Sequence, residues 1–146
     1  MTVDREALDR DIDRLRQALA GLPADHPGRA DLHADLGAAL RQRYDLTGDL
    51  TDLDAAITHL SEAVAATPAD HPDRSQRLIR LGDALLARFE RTRKRADREA
   101  GMARLREGGM PEEELRQRIR QADARAIGDD FWDGIELARG GPPLRD

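Results

Sequence analysis

Moved along itself by 45 residues, this chain meets its own copy. Of the 45 positions from 7 to 51, 18 carry the same residue 45 positions later. Leu8, Ile12, Leu15 and Ala18 fall on Leu53, Ile57, Leu60 and Ala63. Arg29, Leu36, Gly37, Ala39, Leu40 and Arg43 fall on Arg74, Leu81, Gly82, Ala84, Leu85 and Arg88, and Tyr44 falls on Phe89. An internal period in the range of roughly 20–50 residues is the mark of stacked structural units that share one continuous core. That periodicity restricts the fold more than any other feature of the chain.

Each unit reads as two helices. Leu53, Ala56, Ile57, Leu60, Ala63 and Val64 recur at i, i+3, i+4 and i+7, which draws one apolar stripe on a helix. Thr51, with Asp54 three residues on, resembles a capping box at its start. The partner stripe is Leu78, Leu81, Gly82, Leu85 and Phe89, with Leu36, Leu40 and Tyr44 as its earlier copy. Gly37 and Gly82 stand inside these helices at a propensity cost of about 1 kcal/mol each. A glycine kept twice at one helical phase predicts the close approach of a neighbouring helix.

The pentapeptide PADHP occurs at 23–27 and again at 68–72, so it is either a pair of chemical sites or punctuation. Pro23 and Pro68 stop a helix, because proline cannot continue its hydrogen-bond ladder. Asp25 and Asp70 are placed to accept from the free N–H groups of the next helix, and Pro27 and Pro72 suit its first turn. His26 and His71 are expected to be exposed between them. A shared metal is geometrically poor here, since equivalent loops lie a whole repeat apart and zinc ligands must converge to about 2 Å from one ion. His33 and His59 do not fall at equivalent positions and form no motif. No metal site and no cofactor are expected.

Composition narrows the remaining possibilities. Aromatic residues are only 3% of the 146, so the core has to be built from Leu, Ala, Ile and Val. There is no Cys, which removes disulfides, thiol catalysis and thiolate metal sites together. The sequence MTVDREALDRD is charged from its fourth residue, unlike a signal peptide, and no apolar run approaches membrane length. A cytoplasmic location without membrane partners is the expectation. The net charge of −5 conceals a basic stretch, 88–106, with 8 basic and 3 acidic groups between two acidic segments. No Gly-rich phosphate loop, HExxH motif or nucleophile setting occurs, so an enzyme is not expected.

The segment LGAALRQRYDLTGDLTDLDAAITHLSEAVAATPADHPDR resembles a tetratricopeptide repeat of the long-period variety found in bacterial arrays, often beside caspase-like CHAT protease domains. Residues 7–96 carry the resemblance well, 97–107 weakly, and the last 39 not at all. It implies an all-α fold of antiparallel helix hairpins in a superhelical stack over 1–107. A helix over 108–127 would cap the stack, with Pro111 and three Glu in its first turn and Leu115, Ile119, Ala122 and Ala126 as its stripe. The segment 128–146 holds Phe131, Trp132 and a Pro-Pro pair without a lasting period, and is expected to be an irregular tail.

The resemblance also implies a function: an interaction module or adaptor holding another protein or peptide in a concave groove, as a partner, activator or substrate of a CHAT protease system. Helices of the first type would line that groove. Candidate partner-binding residues are therefore Arg41 and Arg43 in the first copy, Arg80 and Arg88 in the second, the basic turn Arg93, Lys94 and Arg95, and the aromatic pair Phe131 and Trp132. The alternative is weak nucleic-acid binding through 88–106. The absence of interleaved aromatics and the acidic net charge argue against it.

Overall fold

The computed structural model describes the backbone of residues 4–138 and the side chains of residues 4–128. The described residues are all helical or turn: α1 Arg5–Ala20, α2 Arg29–Thr47, α3 Leu50–Ala66, α4 Arg74–Thr92, α5 Arg95–Glu107 and α6 Glu112–Ala138. Each helix packs against its successor, and α4 also meets α2 and α6. The first core cluster joins α1 and α2 through Leu8, Ile12, Leu36 and Leu40. A second joins α3 to α4 through Leu53, Leu60, Leu81 and Leu85. A third closes the far end with Leu86, Phe89, Leu105, Leu115 and Ile119. The repeat thus reappears as two tight hairpins, α2–α3 and α4–α5, flanked by α1 and α6.

The twin glycines make the hairpins tight. A Cβ on Gly37 would stand 2.7 Å from Leu60 Cγ, and one on Gly82 would stand 2.7 Å from Leu105 Cγ and 2.9 Å from the Gly101 carbonyl. Leu105 lies 45 residues beyond Leu60, and Asp97 lies 45 beyond Asp52. The second unit is therefore a complete hairpin whose last helix is shorter, 13 residues against 17.

The PADHP loops are punctuation, with a different division of labour from the one their residue types suggest. Helices α2 and α4 start at Arg29 and Arg74, behind Gly28 and Asp73, which give no side-chain cap. Both prolines thus stand before the cap rather than in the first turn. The histidines, not Asp25 and Asp70, accept the loop N–H groups: Gly28 N–H donates to His26 Nδ1 at 2.9 Å and Asp73 N–H to His71 Nδ1 at 3.1 Å. An imidazole with Nδ1 deprotonated reaches the amide two residues on, as an Asx side chain does. The repeated arginine closes the loop from the other side. Arg29 donates to the Leu19 and Leu22 carbonyls, and Arg74 to those of Val64 and Thr67, which satisfies the open C-terminal end of the preceding helix.

Two further sequence expectations need correction. The cap of α3 is Asp49, whose side chain accepts from Thr51 N–H at 2.9 Å, and not Thr51 with Asp54. Asp49 wins because the two-residue turn Gly48-Asp49 already puts its carboxylate at the open end. The expected irregular tail begins too early as well: beyond Gly128 the backbone is helical to Ala138. Asp129 and Asp130 open that piece, and Phe131, Ile135 and Ala138 are spaced for one face, a period hidden by Gly134 and the glycines beyond. Gly128 separates it from α6 proper, with φ 60 and ψ −175, a conformation open essentially to glycine alone. The side chains of Phe131 and Trp132 lie outside the described residues, as do residues 139–146.

The corner between α4 and α5 departs from its copy in an instructive way. Gly48 ends α2 in the left-handed conformation at φ 71, and Arg93 ends α4 the same way at φ 61. Where Asp49 caps α3, Lys94 stands before α5 with no side-chain cap. A left-handed residue with a Cβ costs about 1–2 kcal/mol and a missing cap about 1 kcal/mol. Writing the first copy into the second, Arg93→Gly with Lys94→Asp, should therefore stabilise the protein by about 1–3 kcal/mol. A urea midpoint unchanged or lowered would show that this corner is held by contacts other than its backbone.

Candidate functional site

The hairpin order brings α2, α4 and α6 side by side, and an open groove of about 570 Å³ runs between them. Ala38, Leu60, Leu86, Ala87 and Ala122 line it with apolar surface. Arg41, Arg80, Arg118 and Arg125 supply its cations, Asp45, Asp83 and Glu90 its carboxylates, and Gln42 and Gln121 its amides. Most of the charges are answered locally. Arg41 pairs with Asp45 at 3.0 Å and Arg125 with Glu90 at 3.5 Å, while Arg118 bridges from α6 to Asp83 on α4. Arg80 makes no ion pair among the described residues. Glu90 sits low enough that burial pushes its carboxyl up, against the pull of Arg125 and Arg41. Four arginines against three carboxylates leave the groove weakly positive.

Of the four arginines expected in the groove, two are there and two are not. Arg41 and Arg80 line it. Arg43 turns instead into the seam of three helices, donating through Nε and Nη2 to both oxygens of Asp52 at 2.8 and 2.7 Å and through Nη1 to Asp9 at 3.0 Å. Arg88 repeats this 45 residues on, with Asp97 at 2.9 and 2.8 Å and Asp54 at 3.2 Å. Both guanidiniums have their pKa raised, first by the hydrogen bond to the buried aspartate. A planar fork matched to a carboxylate is the reason for arginine here. These two residues tie the units together and are not free to meet a partner.

The basic stretch is largely neutralised by folding. Arg88, Arg95, Arg98, Arg104 and Arg106 all pair with carboxylates, the last two with Glu107 and Glu112. Arg91 donates to the Gly48 carbonyl at 3.0 Å and lies over the Tyr44 ring. Arg93 and Lys94 make no ion pair among the described residues, and Arg95 is exposed beside them on the same corner.

One constellation was not visible in the sequence. His33 on α2 and His59 on α3 meet with their Nδ1 atoms 3.0 Å apart, so one ring donates its proton to the other. Their positions are 26 apart and unrelated by the repeat; only the antiparallel crossing of α2 and α3 joins them. Burial lowers both pKa values; Arg29 adds to this at His33, and His33 and Arg16 add to it at His59, while Glu62 opposes in both cases. The folded state therefore binds protons less readily than the unfolded chain, and this contribution to stability is complete above the ordinary histidine range near pH ~6.5 and is lost as pH falls through it. Denaturation midpoints should drop between about pH 7.5 and 5. The drop should shrink in His59→Gln, and an equal drop in that variant would assign the pH dependence to other groups.

Among the described residues no three His, Asp or Glu side chains gather as metal ligands, and no helix is long and apolar enough to cross a membrane. No family model, curated protein or solved structure significantly matches the chain.

Proposed function

We propose that the protein is a helical-repeat interaction module of the tetratricopeptide type, holding an acidic, amphipathic segment of a partner protein in the α2–α4–α6 groove. The observation that carries this reading is the groove itself. Its apolar lining, charged edges and a cation, Arg80, that has no ion pair among the described residues are what an amphipathic segment with carboxylates on its flanks requires. The sequence resemblance adds the direction in which to look, a bacterial partner of the caspase-like CHAT class.

A second surface competes for the same role. Arg93 and Lys94 occupy positions where the first copy has the structurally preferred Gly48 and Asp49. Residues that cost local stability and expose charge are where function is to be sought. The two surfaces are separable by affinity capture with purified protein. Arg80→Glu reverses an exposed charge on the groove lining, and Arg93→Glu with Lys94→Glu inverts the corner. Loss of an acidic partner with the first variant and retention with the second supports the groove. The opposite pattern moves the site to the corner, and capture of nucleic acid lost with the second variant would make the protein a phosphate binder.

A further inference from the structure

We infer that Glu90 is the selectivity residue of the groove: its carboxylate takes up Arg125, the cation that a partner's carboxylate would use, and holds acidic segments back until it is neutralised. This rests on the reading of the groove as the binding site and names what regulates it.

The repeat shows how Glu90 comes to need a distant partner. It lies 45 residues beyond Asp45, and both carboxylates line the groove. Asp45 has a cation one turn back on its own helix, Arg41 at 3.0 Å. The residue one turn back from Glu90 is Leu86, so the second copy keeps the acid without its neighbour. Glu90 draws its counter-charge from across the groove instead, from Arg125 of α6 at 3.5 Å, and Arg41 of α2 acts on it as well.

Burial divides this pair unequally. The Glu90 side chain is 22% exposed and that of Arg125 68%. The guanidinium stands in water and can turn toward a ligand, whereas the carboxylate is held in the groove wall. Desolvation pushes the Glu90 carboxyl up, and Arg125 and Arg41 offset this only in part. The other acids of the groove are held closer, Asp45 by Arg41 and Asp83 by Arg118. Helix α3 adds only Leu60 to the lining, and α5 adds no residue. Glu90 is therefore the groove acid whose charge is least secured.

The consequence is a ligand preference that changes with pH. Ionised, Glu90 leaves four arginines against three carboxylates and repels an acidic flank from Arg125. Neutral, it leaves four against two and releases Arg125 to the ligand. Exposed glutamates of a partner keep their charge down to about pH 4.3. Above that value lies an interval in which the groove's acid is neutral and the ligand's acids are not. Acidic segments bind more tightly as pH falls into it, and basic segments less tightly.

The probe is a labelled synthetic helix with leucines on one face and glutamates on its flanks, titrated into the full-length protein. At neutral pH Glu90→Gln should bind it about two- to fivefold more tightly than the wild type, the scale of one partly exposed charge contact. Wild-type affinity should rise as pH falls from neutral toward about 4.3, and Glu90→Gln should lack that rise. The histidines titrate alike in both proteins, so the difference between the two curves belongs to Glu90. A lysine-flanked version of the probe should bind Glu90→Gln more weakly than the wild type. Equal strengthening of both probes would assign the effect to shape and overturn the proposal. A wild-type affinity that does not rise with falling pH overturns it without any variant. If Arg80→Glu abolishes binding of the acidic probe while Glu90→Gln matches the wild type at every pH, the groove reading stands and the role of Glu90 falls. If the acidic probe binds neither the wild type nor Glu90→Gln anywhere in the interval, both fall together.

Discussion

Gly82→Ala is expected to destabilise the protein by about 1–3 kcal/mol, although alanine is the better helix former by about 1 kcal/mol. The new methyl carbon would lie 2.7 Å from Leu105 Cγ, 2.9 Å from Leu105 Cδ2 and 2.9 Å from the Gly101 carbonyl oxygen. A leucine end can rotate, but the carbonyl belongs to the hydrogen-bond ladder of α5, so α4 and α5 must move apart. The first copy offers the internal control. A methyl at Gly37 meets Leu60 at 2.7 Å but finds the nearest backbone oxygen, that of Ala56, at 3.3 Å. Leu60→Ala should therefore relieve most of the Gly37→Ala penalty in a double-mutant cycle, whereas Leu105→Ala should leave most of the Gly82→Ala penalty in place. Urea denaturation of the six variants and the wild type decides it. A Gly82→Ala protein more stable than wild type would mean that the two helices stand further apart than the glycines imply.

How far the sequence could be read follows from what the repeat does and does not encode. The helix order, the close approach at Gly37 and Gly82 and the groove position of Arg41 and Arg80 all follow from apolar period and phase, which are local properties. The roles of Arg43 and Arg88 do not, because a three-helix clamp depends on Asp9 and Asp52 arriving from helices on either side. With the repeat in hand, the pairing was still traceable: Asp9, Arg43 and Asp52 recur as Asp54, Arg88 and Asp97. His33 and His59 left no such trace, since neither has a histidine at its equivalent position and their meeting is a matter of antiparallel register. The caps failed for a different reason. Asp is the commoner capping residue, and only the turn geometry reveals that His26 and His71 already hold the loop amides. Helix beyond Gly128 was obscured by composition, glycine and charge outweighing a short aromatic stripe.

Leu60→Ala and Leu105→Ala should each cost about 2–5 kcal/mol, the largest single-site losses expected in the molecule. Both side chains are fully buried, and each lies directly against the glycine of the partner helix, so neither cavity can be filled by a neighbouring rotamer without backbone movement. His26→Ala, which removes one exposed acceptor for a loop amide, should cost far less, about 0.5–1 kcal/mol. The two leucine variants should differ in where the loss appears. Leu105 belongs to the cluster that holds α5 and α6 onto α4, with Leu86, Phe89, Leu115 and Ile119. Leu60 sits in the central cluster between the hairpins, with Leu53, Leu81 and Leu85. Stacked units are stabilised chiefly by their nearest neighbours, so damage at one end need not spread at once to the other. Hydrogen exchange of Leu105→Ala should therefore lose protection first in α5 and α6 while α1 and α2 keep theirs, whereas Leu60→Ala should lower protection from α2 through α4 together. Uniform loss in both variants would show that the six helices fold as a single cooperative unit, and that the groove wall formed by α6 cannot open by itself to admit a partner.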